Sequence, residues 1–367
     1  MSSHRRIGPA DLAAQHLALA DEIEQAVLRV LRSGRYVLGA EVAALEHELA
    51  SYLGAKHVVA CGSGTGALLL SLLALGVSPG DEVIVPAFTI FVDAEVVSLL
   101  GATPVFVDVD PVLCAVEPAA IARALTPRTR AVIATDLYGV PAPLPALREA
   151  CAARGIAVIE DACQALGARL HGRAAGTLGE LGCLSFFPTK NLGAAGDGGA
   201  VIVDDDARAG ALRALRVHGA RAKYRHAAIG LNSRLDELQA AILRVKLRHL
   251  DRAQARRAQI AARYDAALAP LSLAPPRLPA GFVTNHHLYT IRHARRDALH
   301  DHLAARGIDA AIHYPLAAFQ QPVYRALHED AEFPVATRLA AEVLSLPSHA
   351  QLSDDDVDRV IDAVRSF

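Results

Sequence analysis

Residues 57–76 read HVVACGSGTGALLLSLLALG. The alternation of strand and helix that begins here continues in the residues that follow. An apolar strand pattern at 57–61 leads into a glycine turn and then into an apolar helix. Further strand patterns occur at 82–86, 103–109, 130–136 and 156–161, with helical patterns near 95–100, 117–126 and 144–154. Apolar strands that alternate with helices form a parallel sheet covered on both faces. The sequence therefore predicts an α/β fold with a mostly parallel central sheet flanked by helices.

The second half of the chain predicts a smaller lobe of α+β structure. A long helix is predicted over 232–250, with Asn or Ser at its start, and the earlier stretch 40–53 has the same helical spacing of apolar residues. The elements predicted after the proline-rich stretch 270–281 are a strand near 287–292 and helices near 296–306 and 336–343. We therefore expect a large domain, 1–250, that includes an N-terminal helical segment, and a small C-terminal domain, 251–367.

Composition excludes several classes of protein. The 367 residues are 52% hydrophobic and 21% charged with a formal net charge of -2, which is typical of a globular enzyme and predicts no affinity for nucleic acid or an anionic membrane. The five cysteines form no CxxC pair and favour free thiols in a reducing compartment. The N-terminus has no apolar signal-peptide core, and no apolar run is long enough to span a bilayer. We expect a cytoplasmic protein.

The glycine turn GSGTGALLL, at 62–70, is a candidate phosphate site. Glycines between a strand and a helix expose backbone N–H groups at a helix N-terminus, where an anion is stabilised, and Thr65 adds a hydroxyl donor. The spacing matches neither the P-loop nor the dinucleotide-binding GxGxxG pattern, so an NAD-dependent oxidoreductase is not supported. A tight turn without a ligand is the alternative interpretation.

Two carboxylates end the strand in IAVIEDACQALGA, residues 156–168. Glu160 and Asp161 would face the crevice where open α/β sheets bind ligands. A buried carboxylate there needs a partner, and no second carboxylate or histidine lies at a spacing suited to a metal. A protonated ring nitrogen is therefore the favoured partner, with an N-cap of the following helix as the alternative.

The stretch SFFPTKNLGAAGDGGA, residues 185–200, supplies an amine between hydroxyls and glycines. The amine of Lys190 can lose its proton and attack a carbonyl, whereas most lysines are solvated surface charges. A phosphate cradle, a carboxylate for a pyridine nitrogen and a lysine for an aldehyde are together what pyridoxal 5'-phosphate (PLP) requires of a protein. Phe88, after the strand at 82–86, is a candidate to stack on the cofactor ring or an ordinary core residue.

Seven sequence blocks in this order, over roughly residues 30–350, resemble one known family. They are GSGTGAL (62–68), PGDEVIVPAFT (79–89), GATPVFVDVDP (101–111), VIEDACQALGA (158–168), SFFPTKNLGAAGDGGA (185–200), GLNSRLDELQAAIL (230–243) and IHYPLAAFQQP (312–322). The chain resembles the DegT/DnrJ/EryC1/StrS sugar aminotransferases, within the aspartate aminotransferase superfamily. The resemblance implies the PLP-dependent transferase fold of type I.

The resemblance also implies roles for individual residues. Lys190 would form the Schiff base with the cofactor, Asp161 would pair with the pyridine nitrogen, and Gln164 would bind the ring hydroxyl. The residues implied to hold the phosphate are Gly64, Thr65 and Ser185, with Asn232 contributed by the partner subunit of a homodimer whose active sites are shared. The residues implied to face the sugar nucleotide are Lys223 and Arg234 from that partner and His313 and Tyr314 from the small lobe.

The function implied is a ping-pong transfer of an amino group from L-glutamate to a nucleotide-linked keto sugar. The blocks around Lys223 and His313 favour a dTDP- or UDP-linked 3-keto sugar, and a C-4 keto sugar or a free keto-cyclitol is the alternative acceptor. A different class of function is a non-catalytic regulatory protein on the same fold, because fold alone does not establish function. The intact set of Lys190, Asp161, Thr65 and Ser185 favours the enzyme.

Overall fold

The computed structural model describes residues 6–328 and 332–367, and its centre is one seven-stranded sheet. Most strands of this sheet are short runs rich in Val, Ile, Ala and Leu in which all residues or all but one are buried, as expected where both faces are covered. The strands are β1 (His57–Cys61), β2 (Glu82–Pro86), β3 (Thr103–Val107), β4 (Thr129–Thr135), β5 (Ala157–Asp161), β6 (Arg169–Leu170), β7 (Arg173–Ala174), β8 (Leu181–Ser185), β9 (Gly199–Val203), β10 (Ala220–Ala222), β11 (Arg225–His226), β12 (Phe282–Val283), β13 (Tyr289–Arg292) and β14 (Val343–Leu346).

The order of the central sheet is β1-β9-β8-β5-β4-β2-β3. Only β9 runs against its neighbours, and the other six strands point the same way. The predicted α/β fold with a mostly parallel sheet is therefore confirmed. Because parallel strands end at the same edge, the residues after β2, β4, β5 and β8 meet at one side of the sheet.

Helices cover both faces of the sheet and form most of the second lobe. Their starts follow local chemistry: Ser63 caps the helix after β1 by accepting from the Gly66 N–H at 3.0 Å, and Gly54 ends an earlier helix in the left-handed conformation. The helices are α1 (Leu12–Leu17), α2 (Ala20–Ser33), α3 (Ala40–Leu53), α4 (Gly64–Ala74), α5 (Val92–Leu99), α6 (Pro118–Ala124), α7 (Leu144–Ala152), α8 (Asp206–Leu215), α9 (Glu237–Leu247), α10 (Leu250–Leu268), α11 (Arg296–Ala304), α12 (Pro322–Arg325), α13 (Pro334–Glu342) and α14 (Asp354–Arg365).

The helix predicted over 232–250 is wrong at both ends. The structure has α9 from Glu237 and a separate helix, α10, from Leu250. Backbone pairing holds the preceding residues extended: Asn232 bridges Val217, and Asp236 bridges Val37. These tertiary hydrogen bonds outweigh the helical propensity of the segment.

The second lobe packs around an antiparallel pair, β13 and β14, as the α+β pattern predicted. Its hydrophobic cluster draws on α10, α11 and α14, with Tyr264, Leu299 and Ile361 among its members. Ile7 joins the same cluster and pairs with Ile308, so the described N-terminal residues lie against this lobe. Strand β14 was not predicted, because its four residues directly follow α13 without a turn signal. Among the described residues, no helix has the length and apolar character to cross a membrane.

Candidate active site

The carboxyl edge of the central sheet collects the residues that carry chemistry. Register pairs Thr135 at the end of β4 with Asp161 at the end of β5, and Asp161 in turn with Cys183 of β8. Ser185 ends β8, and the loop that follows carries Lys190. Residues far apart in the chain therefore share one crevice because their strands are neighbours.

Lys190 is partly buried in the loop after β8. Its backbone N–H donates to the Phe187 carbonyl at 2.9 Å, which closes a tight turn and directs the side chain inward. Burial lowers the pKa of its amine, while the nearby Cys163 and Asp161 act in the opposite direction. A lysine amine with a lowered pKa is more often neutral, and the neutral form is the nucleophile that attacks an aldehyde.

The N-terminus of α4 forms a cradle beside this lysine. Gly64 is buried there, and a Cβ at this position would lie 2.8 Å from the Cβ of Ser185 and 3.0 Å from the sulfur of Cys163. The absence of a side chain leaves space next to backbone N–H groups that carry partial positive charge. Thr65 and Ser185 are partly exposed at the same place and supply hydroxyls. The cradle suits a phosphate.

Asp161 is almost fully buried at 2% exposure. One of its oxygens accepts from the Cys163 N–H at 3.0 Å, which orients the carboxylate toward the crevice. Gln164 lies one turn further along: its oxygen accepts from the Tyr138 N–H at 2.7 Å, and its amide nitrogen donates to the Tyr314 hydroxyl at 3.2 Å. The predicted residues Asp161, Gln164 and Tyr314 are thus brought together.

The candidate residues His313 and Phe88 occupy different environments. The Nδ1 atom of His313 lies 3.0 Å from the Ser345 hydroxyl of β14, and its backbone carbonyl accepts from the Tyr138 hydroxyl. Burial, and next the charge of Lys190, lower the pKa of His313, which favours the neutral imidazole. Phe88 is fully buried inside the main hydrophobic cluster, which gives it a packing role. Its stacking on a cofactor stays a prediction.

Three predicted residues lie away from this crevice's centre, on surfaces of the same chain. Lys223 is exposed in the turn between β10 and β11, with its amine 5.3 Å from the centre of the Tyr224 ring. Asn232 is exposed and Arg234 half-buried in the extended segment before α9. Their neighbour Ser233 is the one that turns inward, where its hydroxyl accepts from the Gly62 N–H at 3.2 Å. This placement is compatible with residues that serve a partner's site.

Sequence reasoning missed two groups near the site. His287 is buried, and its Nδ1 atom lies 3.1 Å from the Asn191 side-chain oxygen, next to Lys190 in sequence. Burial lowers the pKa of His287 well below its usual value, and the charge of Lys190 contributes. Asp93 is fully buried and accepts from the hydroxyl of Thr135, which pairs with Asp161 in the sheet. No motif marks these residues, since each reaches the site only through the packing of α5 or of the segment before β13.

These residues fit PLP. A partly buried amine, a buried carboxylate and a glycine-lined helix N-terminus are suited to its aldehyde, its ring nitrogen and its phosphate. Fold and site together define a PLP-dependent enzyme of fold type I. The chain belongs to the DegT/DnrJ/EryC1/StrS aminotransferase family, whose model matches residues 18–365.

Two curated relatives cover almost the whole chain. The UDP-N-acetyl-3-dehydro-alpha-D-glucosamine 3-aminotransferase of Acidithiobacillus ferrooxidans is 44% identical over 365 residues, which are 100% of this chain and 99% of the relative. A protein of Geobacillus stearothermophilus named pleiotropic regulatory protein is 43% identical over 362 residues, 97% of each chain.

Solved structures show the same fold. The S. venezuelae DesV structure in complex with a ketimine intermediate superposes with a TM-score of 0.96 at 45% identity, over 99% of this chain and 98% of DesV. NtdA from Bacillus subtilis, with bound cofactor PMP, superposes with a TM-score of 0.90 at 27% identity, over 100% of this chain and 86% of NtdA. PMP is the amine form of PLP, so the family's cofactor agrees with the donor set of the crevice.

Proposed function

We propose that this aminotransferase moves an amino group from L-glutamate to the 3-keto group of a dTDP- or UDP-linked sugar. The observation that carries the chemistry is the convergence of Lys190, Asp161 and Gly64 at one edge of the sheet. The printed name of the Acidithiobacillus relative, an aminotransferase for a 3-dehydro sugar nucleotide, supports the acceptor. A C-4 keto sugar or a keto-cyclitol is the second candidate acceptor.

Bound PLP supplies an aldehyde that takes up an amino group and a ring that accepts electrons. The amine of Lys190 would hold the cofactor and, once displaced by a substrate amine, move a proton through its Nζ atom. Asp161 would keep the ring nitrogen protonated, because an opposite charge favours the charged form. The hydroxyls of Thr65 and Ser185 and the helix N-terminus at Gly64 would hold the phosphate.

We further propose a homodimer with shared active sites. Large apolar side chains are exposed on segments that flank the crevice: Tyr36, Val37 and Leu38 before α3, Phe187 in the lysine loop, Tyr224 in the turn of the β10–β11 hairpin, and Ile229, which is 92% exposed, just after this hairpin. A cleft of about 590 Å³ between α1–α2 and the lysine loop adds to this apolar surface. Apolar patches of this kind mark protein–protein contacts. A partner there would bring Lys223, Asn232 and Arg234 to the neighbouring site.

The remaining proposals concern organisation and location. We propose a division into domains near residue 250, supported by the separate hydrophobic cluster of the second lobe. A cytoplasmic location is proposed from the free thiols, none of which is paired among the described residues.

A non-catalytic regulatory role is the alternative function, and the name of the Geobacillus relative supports it. The catalytic set is complete in this chain, which favours the enzyme.

The absorption spectrum of the purified protein, before and after addition of L-glutamate, tests the donor reaction. We expect a visible cofactor band that disappears with glutamate and returns with the correct keto-sugar nucleotide. Offering 3-keto and 4-keto sugar nucleotides separately identifies the carbon. The absence of any band after incubation with PLP would support the regulatory alternative.

Mixed dimers test the shared site. Lys190→Ala and Asn232→Ala homodimers should each be nearly inactive. Unfolding and refolding the two together would create dimers in which one site combines Lys190 from one subunit with Asn232 from the other. About a quarter of wild-type activity should return, since half of the dimers are mixed and each has one intact site. No recovery despite verified mixed dimers would place both residues in one chain's site.

A further inference from the structure

A second carboxyl group, that of Asp93, is buried close to Asp161. Asp93, in the first turn of α5, is fully buried, and its Oδ2 atom accepts from the hydroxyl of Thr135, the residue that pairs with Asp161 in the register of β4 and β5, so the two carboxyl groups are neighbours. Nothing in the roles described above uses Asp93. Two neighbouring buried carboxyl groups cannot both be ionised without a large energetic cost, so one of them holds a proton.

The hydrogen-bond donors around Asp93 show which oxygen carries that proton. Its Oδ2 atom accepts from the Thr89 hydroxyl at 2.5 Å and from the Thr135 hydroxyl at 2.6 Å. Its Oδ1 atom is buried and has no donor among the described residues. A buried carboxyl oxygen without a donor is satisfied when it is protonated and is itself the donor.

The two carboxyl groups have different hydrogen-bond donors and neighbours. Asp161 accepts the Cys163 N–H and lies near the amine of Lys190, whereas the donors to Asp93 are neutral hydroxyls. Burial, and next the charge of Asp161, raise the pKa of Asp93 well above its usual range. The hydrogen bonds and the raised pKa therefore both assign the proton to Asp93.

We propose that Asp93 is a neutral acid that donates a hydrogen bond from Oδ1 to the Asp161 carboxylate and acts as a positioning residue for the cofactor ring. This inference rests on the proposed role of Asp161. The donated bond stabilises the anionic form of Asp161, so that the proton shared with the ring nitrogen stays on the ring. It also fixes the direction of the carboxylate, together with the Cys163 N–H. A more basic, less ordered Asp161 would take that proton and weaken the ring as an electron acceptor.

Two substitutions of Asp93 distinguish the effects of its size, its charge and the hydrogen bond that it donates. Asp93→Asn keeps the arrangement of a neutral acid, because its amide oxygen accepts from the threonines and its NH₂ group donates to Asp161. Asp93→Leu is similar in size and donates nothing. We expect the asparagine variant to bind PLP within about threefold of wild type, and the leucine variant to bind roughly 10- to 100-fold more weakly, the value of a hydrogen bond to a charged group.

Infrared difference spectra supply a readout that does not depend on activity. The spectrum of wild type minus Asp93→Asn should show the carbonyl stretch of a protonated carboxyl group, in protein without and with PLP. The second buried acid pair, Asp136 and Glu160, cancels in this difference, and the exposed Asp355, changed to Asn, should give no such band. A difference spectrum without the band would overturn the proposal, whether or not the leucine variant folds.

Asp161→Ala distinguishes the proposed role of Asp93 from the proposed role of Asp161, on which it rests. If that variant binds PLP as wild type does, the role of Asp161 is wrong, and the infrared band then decides only the protonation of Asp93. If Asp161→Ala loses PLP while folded Asp93→Leu keeps it, the positioning role of Asp93 is wrong. A strong loss in Asp93→Asn would show that Asp93 acts as a charge, which also contradicts the proposal.

Discussion

The side-chain amide of Gln164 donates a hydrogen bond to the hydroxyl of Tyr314 at 3.2 Å. Gln164 follows strand β5 of the central sheet, and Tyr314 belongs to the segment that precedes α12. This bond joins a residue predicted to bind the cofactor to one predicted to face the sugar. A change at Tyr314 should therefore be detectable in the second half-reaction.

Tyr314→Phe removes this bond and the polar group offered to the sugar. We expect kcat/KM for the keto sugar to fall roughly 3- to 10-fold, the value of one neutral hydrogen bond, with little change for glutamate. Steady-state kinetics with each substrate varied in turn measure the effect. Tyr52→Phe, whose hydroxyl donates to Asp251 at 2.8 Å on another face, is the control. Equal losses for both substrates would place Tyr314 at the cofactor.

Lys190→Ala should abolish transamination while the protein stays folded, because the amine of Lys190 is the nucleophile that we propose for the site. The visible cofactor band should be lost as well. Lys56→Ala removes an exposed lysine that pairs with Asp206 and should keep both band and turnover. Retained turnover in the Lys190 variant would refute the mechanism.

Gly64→Ala would fill the phosphate cradle. The added Cβ, 2.8 Å from the Cβ of Ser185, forces that side chain to move, and PLP should bind roughly tenfold more weakly or worse. Fluorescence titration with PLP measures the change. Gly210→Ala is the matched control: it lies in α8 with no atom within 4 Å of the new Cβ, and it should raise thermal stability slightly. Unchanged PLP affinity in Gly64→Ala would argue against a phosphate at this turn.

Acid should destabilise the protein through His349. Burial, and next the charge of Arg257, lower the pKa of His349 to about 4, below the value of about 6.5 in an unfolded chain. Below pH 6.5 the unfolded state therefore binds a proton that the folded state does not. Stability falls as pH drops from about 6.5 toward 4, by on the order of 3 kcal/mol for this group.

The comparison of thermal midpoints across this pH range tests His349. His349→Gln should have a shallower dependence than wild type, even if its midpoint at pH 8 is lower. His47→Gln, at an exposed position of α3, should keep the wild-type slope. Parallel curves for wild type and His349→Gln would mean that other groups cause the acid loss.

Glu237 links α9 to the start of α3. Its carboxylate accepts from the backbone N–H groups of Gly39 at 2.7 Å, Glu41 at 2.8 Å and Val42 at 3.0 Å. Glu237→Gln loses the charge that the helix N-terminus favours, and we expect the free energy of unfolding to fall by about 1–3 kcal/mol. Thermal midpoints measure this loss. As a control, Glu149→Gln at an exposed position should leave the midpoint unchanged. An unchanged midpoint for Glu237→Gln as well would show that Glu237 does not stabilise the fold.

Much of the fold follows from local sequence. Strands β1 and β2 and helix α3 match their predictions to the residue, because each is a short apolar pattern bounded by glycine, proline or a polar cap. The candidate residues Lys190, Asp161 and Gly64 were also found locally, since a glycine turn and a strand-end carboxylate have recognisable contexts. Local pattern is sufficient where the physical cause lies within a few neighbouring residues.

Long-range pairing decided the rest. The segment before α9 stays extended because Asn232 and Asp236 bridge distant backbone, and the same pairing leaves Asn232 on the surface. The approach of Asp93 to Asp161 arises where the first turn of α5, which follows β2, and the end of β5 meet across β4. Strand order brings these two side chains together, and burial raises the cost of ionising a second carboxyl group. Neither property can be predicted from the residues that neighbour Asp93 in the sequence.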